Sequence, residues 1–271
     1  MTKTKIASYS LFGNHVSHGT RQFYWDHIPA LVRAHHNFYP DWELRIHVDS
    51  TYEEDRSRLL RAYAGAGLCA LYYCEENIAC CRSMLWRMRP AWDPTVAYVV
   101  CRDIDAMPCP KDAKTIKQWI ESGAAVHTIN DNTQHSVTMM GGMVGFKVDS
   151  FQKKCPWPTW NKMVEAYEGL EKPSGGYDQM LMSDRIWNLY YPDICSHRFA
   201  GLACDPALRA CYTSVSDEPL EGMPELLCRR ADALMAHLGA SSYDIPKARE
   251  LFDTYGDPEV TERVLKAEKL I

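Results

Sequence analysis

A chain of 271 residues with 46% hydrophobic and 24% charged residues has the makeup of a globular protein and can bury a sizeable core. Its formal net charge of −5 speaks against a broad nucleic-acid-binding surface. No apolar run approaches the ~18 residues of a membrane span, and the apolar part of "MTKTKIASYSLFG" is too short for a signal-peptide core, so a soluble, cytoplasmic protein is expected. The 11 cysteines are dispersed, none forms a C-x-x-C pair, and Cys80 and Cys81 are adjacent. That spacing suits neither a disulfide framework nor zinc, and reduced, mostly buried thiols are expected.

The first half alternates strands and helices. "KIASYSLF" (Lys5–Phe12) reads as a strand. From Thr20, Phe23, Ile28, Leu31, Val32 and His35 recur at helical spacing, with Pro29 predicting a kink or two short helices. "WELRIHVD" (Trp42–Asp49) alternates like a strand. Thr51 and Glu54 form a capping box for the next helix, which ends at glycines. "LCALYYC" is a third strand; "NIACCRSMLWRMRP" reads as a helix capped by Asn77 and stopped by Pro90; "TVAYVVC" is the fourth strand. Such repetition predicts an α/β fold of parallel strands covered by helices, with ligands at the carboxyl ends of the strands.

After the helix "AKTIKQWIESG" the pattern changes. "AAVHTIND" and "MVGFKVD" read as strands flanking a Gly141-Gly142 turn, which predicts a mixed central sheet. "TWNKMVEAYEGL" and "YDQMLMSDRIWNLY" are amphipathic helices. Beyond about Asp217, turns lead to the helical "PELLCRRADALMAHLGAS" and "PEVTERVLKAEKL". The simplest partition is one α/β domain over residues 1–215 and a C-terminal helical extension over 216–271 that packs on it.

Asp103 and Asp105 carry the strongest chemical signal. They end an apolar strand, with Arg102 before them and "MPCP" after. Carboxylates at i and i+2 can converge on a hard ion such as Mg²⁺ or Mn²⁺, which completes its shell with water and phosphate oxygens. The plainer reading is a solvated turn. Arg87 can offer a planar fork to a phosphate or pair with a core carboxylate, or lie on a solvated helix face. In "NDNTQHS", Asp131, Asn132 and His135 suit sugar hydroxyls, although Asp-Asn is also turn material. Gly141, Gly142 and Gly145 would let the backbone approach a ligand. Asp178 and Gln179 fall in the first turn of a helix, where an acid is favoured by capping alone. His237 is either a metal ligand or a core histidine.

Three segments, "MLWRMRPAWDPTVAYVVCRDIDAMP", "HTINDNTQHSVTMMGGMVGFK" and "GYDQMLMSDRIW", together resemble a group of bacterial and viral GT-A-type glycosyltransferase-like proteins. Those carry a W-R helix, an R-D-x-D strand end, a D-x-x-x-H loop, a G-G-M-x-G turn and a D-Q helix start. The resemblance spans roughly residues 5 to 240, and extends more distantly to the retaining galactosyltransferase and glycogenin-like families. It implies a GT-A fold and metal-dependent sugar transfer from a nucleotide sugar, by analogy a UDP-sugar, to a hydroxyl of a glycan, protein, lipid or modified nucleobase. Asp103, Asp105 and His237 would hold Mn²⁺ or Mg²⁺, although the late element here reads H-x-G instead of H-x-x-G. Tyr9 and Ser10, ending the first strand, would meet the base and ribose. Arg87, Arg102, Asp103, Asn132, His135, Gly141 and Gly142 would line the nucleotide sugar, and Asp131, Asp178 and Gln179 would act at the reacting carbon. The D-Q pair implies retention; in an inverting enzyme Asp178 would be the general base. Met107 stands where relatives often carry an arginine. Two other readings are open. A nucleotidyltransferase would want a lysine near "SLFGNHVSHG", where only the more distant Arg21 follows. A non-catalytic nucleotide- or sugar-binding protein would keep the pocket without turnover.

Overall fold

Strand β1 (Thr4–Leu11) is buried from Ile6 to Leu11, and β2 (Glu43–Asp49) from Leu44 onward, as befits parallel strands covered on both faces. The computed structural model describes residues 3–12, 18–50, 54–75, 81–131, 135, 137–167, 176–199, 201–213, 220–234 and 244–271. Six further strands complete the sheet: β3 (Ala70–Cys74), β4 (Val96–Arg102), β5 (Val126–Asn130), β6 (Met143–Lys147), β7 (Ile194–Arg198) and β8 (Ala210–Tyr212). Their order is β3-β2-β1-β4-β6-β5-β7-β8. β6 runs antiparallel to β4 and β5, and the other pairings are parallel. The expected α/β class, with a parallel half and a mixed centre, is what forms. Arg102 pairs with Met143 and Asn130 with Arg198, so β4, β5 and β7 end where β6 begins.

Alternation along the strands divides the core into two layers. Ala7, Tyr9, Leu44, Ile46 and Val100 face helices α1 (His18–Phe38), α2 (Glu54–Gly65) and α3 (Pro110–Ser122). Ile6, Val99, Cys101, Val144 and Phe146 face a 3-10 helix (Cys81–Trp92), α4 (Val148–Lys154), α5 (Trp160–Glu165) and α6 (Tyr177–Leu181). A π-helical stretch, Met182–Trp187, carries α6 on into the short α7 (Asn188–Tyr190).

α1 runs unbroken through Pro29, because Ile28, Ala30, Leu31 and Val32 around it are all buried and the Arg33 Nη1 group bonds the Pro29 carbonyl at 3.0 Å. The 3-10 helix likewise passes through Pro90 to Trp92, so Pro90 is not its end; Asn77 lies outside the described residues. β7, β8 and helix α9 (Ile245–Tyr255) were not expected from the sequence pattern. With α8 (Glu225–Leu234) and α10 (Pro258–Glu268), α9 joins the α1–α3 layer. Arg33 of α1 reaches Asp253 of α9 at 2.5 Å and Glu268 of α10 at 2.8 Å.

The thiol expectation needs one correction. Cys204 and Cys211 form a disulfide, brought within 5.7 Å between Cα atoms where the chain turns into β8. Seven other described cysteines are free, and five of these, Cys74, Cys101, Cys109, Cys195 and Cys228, are buried as expected. Among the described residues, no helix is long and apolar enough to cross a membrane.

Candidate functional site

The turn after β4 separates its apolar from its acidic residues. Ala106 N–H bonds the Asp103 carbonyl at 2.9 Å, while Ile104, Ala106 and Met107 are buried. Asp103 and Asp105 are left at the rim, the Asp103 side chain 46% exposed. Met107, which stands where relatives often carry an arginine, is fully buried, so its side chain belongs to the core.

Arg87 ties this rim to a second element. It sits in the 3-10 helix, where its N–H donates to Ser10 Oγ at 3.0 Å and its carbonyl accepts from Cys101 Sγ at 3.3 Å. The Ser10 hydroxyl in turn donates to the Met84 carbonyl at 3.4 Å. Pinned this way, the buried Arg87 side chain reaches Asp103 Oδ1 through Nη1 and Asp178 Oδ2 through Nη2, the latter at 3.0 Å. Asp178 lies on α6, behind a Gly176 N-cap, and is buried; Gln179 beside it is half-buried. A Cβ at Gly141 would collide with the Asp178 carboxylate, and one at Gly142 with that of Asp103. Only glycine allows these two acids to lie against the backbone so closely.

Electrostatics mark the rim as short of positive charge. Burial, then the neighbouring charge of Asp103, pushes Asp105 up to about 7. Burial, then Asp105 and Asp103, pushes Tyr24 of α1 up to about 12. For Arg87, burial opposes the charged form, but Asp103 and Asp178 outweigh it and hold the guanidinium protonated. Burial raises Asp178, Arg87 opposes that rise, and Asp103 adds to it.

A second cluster follows β5. Asp131 accepts from Lys111 Nζ at 2.9 Å, and His135 Nδ1 lies 3.2 Å from its other oxygen. Burial opposes the charge on Asp131, yet His135 and Lys111 together hold its carboxyl below the usual range. Asn130 Nδ2 bonds the carbonyls of His135 and Val137 at 3.1 and 2.7 Å, fixing the ends of this loop. Lys111 N–H, at the start of α3, donates to Asp232 of α8 at 3.2 Å.

The structure thus gathers Arg87, Asp103, Gly141, Gly142 and Asp178 at one point, with Ser10 supporting Arg87 from behind. Asp131 and His135 form their own cluster on the same edge of the sheet. Asn132 and His237 lie outside the described residues. Two expectations are corrected. Tyr9 and Arg102 are partners in the β1–β4 register and both point into the α1–α3 layer, fully buried. Arg102 is clasped by Asp112 at 2.8 and 3.2 Å and by the Val144 carbonyl at 3.1 Å. Tyr9 therefore offers no face to a base, and Arg102 no fork to a phosphate. Sequence reasoning missed Tyr24 and Lys111: the first sits in an amphipathic helix and the second among ordinary helix-start residues, so neither carried a signal.

No family model matches the chain, and no curated protein matches it. Several solved structures are similar, among them these three. A Pyrobaculum calidifontis mannosyltransferase in complex with GDP-Man and Mn²⁺ shares 12% identity at a TM-score of 0.43, covering 100% of this chain and 75% of that one. The galactosyltransferase LgtC, in complex with donor and acceptor sugar analogues, shares 12% identity at a TM-score of 0.43, covering 94% and 96%. An active-site mutant of LgtC gives the same identity and TM-score over 92% and 94%. At this level the similarities assign neither a family nor an activity.

The rim fits a hard divalent cation on its own chemistry. Two carboxylates two residues apart lie at the rim, and at Asp105 burial and the charge of Asp103 outweigh the opposing charge of Arg87. Among the described residues, no group of three or more His, Cys, Asp or Glu converges for an ion. An ion here would draw its remaining ligands from water and from phosphate, as Mg²⁺ sites commonly do.

Proposed function

We propose that the chain is a GT-A-type glycosyltransferase that moves a sugar from a nucleotide-sugar donor to an acceptor hydroxyl. The observation that carries this reading is the Asp103–Arg87–Asp178 bridge, seated on Gly141-Gly142 at the strand ends with Asp105 at the same rim. Asp103 and Asp105 would hold Mn²⁺ or Mg²⁺, and the bound ion supplies Lewis-acid neutralisation of the leaving diphosphate. Arg87 adds charge-assisted hydrogen bonds to the phosphate oxygens. Asp178 lies on the far side of Arg87 and would accept a hydrogen bond from a sugar hydroxyl, and Gln179 follows at the next helical position. In an inverting reaction, the raised affinity of Asp178 for a proton suits it to deprotonate the acceptor. Asp131, kept ionised by His135 and Lys111 against its burial, would accept from sugar hydroxyls. The UDP donor, retention, and the roles of Asn132 and His237 rest on the motif resemblance alone.

Isothermal titration of UDP and GDP, with and without Mn²⁺, on wild type and Asp105→Ala tests this. One nucleotide should bind only with the metal, and the variant should lose that binding. Binding that ignores both metal and mutation would reduce the strand-end aspartates to turn residues and sink the reading.

A further inference from the structure

Arg87 occupies one oxygen of the carboxylate that the proposed metal site needs most. The two acids it bridges differ in access: Asp178 is buried, whereas the Asp103 side chain is 46% exposed. Arg87 reaches Asp103 from the protein side, and an incoming ion reaches it from solvent. The backbone of Arg87 is fixed by Ser10 and Cys101, so its head cannot leave the site, although it can pivot. Its Nε is buried with no hydrogen-bond partner, so the guanidinium is held through its two terminal nitrogens. A guanidinium and a divalent ion sharing one carboxylate repel each other.

We propose that Arg87 is the resident counter-cation of the metal-free site: an ion entering at Asp103 and Asp105 takes Asp103 from it, while Arg87 keeps Asp178 and turns its freed Nη1 to a donor phosphate. This rests on the function proposed above and adds an order to it. Metal alone must work against Arg87. Metal arriving with a diphosphate does not, because the phosphate charge accommodates both cations. Metal and nucleotide therefore bind with mutual reinforcement, and Arg87 is the residue that couples them.

The test is Mn²⁺ binding without nucleotide, followed by the electron paramagnetic resonance signal of the free ion, in wild type, Arg87→Gln and Arg87→Lys. Arg87→Gln should bind Mn²⁺ about tenfold tighter than wild type, within the usual range of coupling between sites. Arg87→Lys, which keeps a point charge but not the fork, should fall between. Arg87→Gln leaves Asp178 buried without a cation, so the double variant R87Q/D178N is measured beside it. A second readout needs no stable variant at this position beyond Arg87→Lys for assignment. In wild type, the Arg87 side-chain N–H resonance should shift when Mg²⁺ is added alone. Suppose the variants bind Mn²⁺ no tighter than wild type, while UDP or GDP still recruits Mn²⁺ to wild type: the exchange is then wrong and the metal site stands. An Arg87 resonance unmoved at saturating Mg²⁺ overturns it equally. If Mn²⁺ binds to no form, with or without either nucleotide, the exchange and the proposed function fall together.

Discussion

Arg33 and Arg87 are both buried arginines that bridge two carboxylates from elements distant in sequence, yet the two sites are finished differently. At Arg33 every charge is answered. Glu268 accepts from Arg33 at 2.8 and 3.0 Å, from the Tyr63 hydroxyl at 2.6 Å and from Arg249 at 3.4 Å, while Asp253 takes the other side of the guanidinium. Burial opposes the charge on Glu268, but Arg33 and Tyr63 prevail and hold its carboxyl below the usual range. At Arg87 the account stays open: Nε lacks a partner, Asp103 faces solvent, and burial and then Asp103 push Asp105 up against a weaker opposing pull from Arg87. The first site closes helices α9 and α10 onto α1. The second keeps charge and access in reserve, which stability alone does not explain.

Removing the arginine from the closed site gives the largest expected effect. Arg33→Met keeps most of the volume but leaves Glu268, in a mostly buried place, to Tyr63 and the longer contact with Arg249. Losing one partner of such a pair costs about 3 kcal/mol, the low end of the usual range because Asp253 is partly solvated. Urea unfolding should show a lower midpoint at an unchanged slope. If the midpoint barely moves, Arg33 is not structural in the sense argued and the contrast with Arg87 loses one side.

Gly142→Ala should act on the open site and cost less stability. The added Cβ meets the Asp103 carboxylate, which can swing outward into solvent, so overpacking should cost about 1–2 kcal/mol. The larger consequence is functional: Asp103 is displaced from Arg87 and from the proposed ion, and the proposed metal-dependent nucleotide binding should weaken. Calorimetric titration reads the second effect and thermal melting the first. Wild-type affinity in a folded Gly142→Ala protein would show that the close approach of Asp103 to this turn has no bearing on binding.

How these sites read from the sequence follows the same division. Asp103 and Asp105 were legible because an apolar strand that runs into two acids is a local pattern. Their partner was not: Arg87 and Asp178 are 91 positions apart and meet only through the sheet. The misplacement of Tyr9 and Arg102 has a simple cause. In a strand buried on both faces, nothing local says which alternate set meets solvent at its end, and a one-residue step separates the rim from the core. β7, "ICSHR", escaped notice because its Ser196 and His197 look solvated, yet both are buried, His197 bonding Gln118 at 2.9 Å and lying 3.0 Å from His127 Nε2. The Cys204–Cys211 bridge was equally hidden, since only the turn into β8 brings the two residues together.

The smallest expected effect is a change of slope with pH, and it isolates Glu268. Its folded carboxyl is held below the ordinary glutamate range, so the unfolded chain binds more protons as the pH falls into that range. Stability from this group is complete above about pH 4.3, the ordinary value, and is lost as the pH drops through the lower folded value. Buried histidines complicate the raw curve. Burial pushes His35, His47 and His197 down to about 3, so each draws stability down as the pH falls from its ordinary range toward that value. Those histidines titrate alike in wild type and Arg33→Met, and their contribution cancels in the difference. The stability gap between the two proteins should therefore hold steady from neutral pH down to about pH 5 and narrow below it, because Arg33→Met has already lost what acid removes. A gap that stays constant down to pH 3 would mean that the carboxylate charge of Glu268 is not what Arg33 stabilises, and the closed site would owe its strength to packing of the arginine stem.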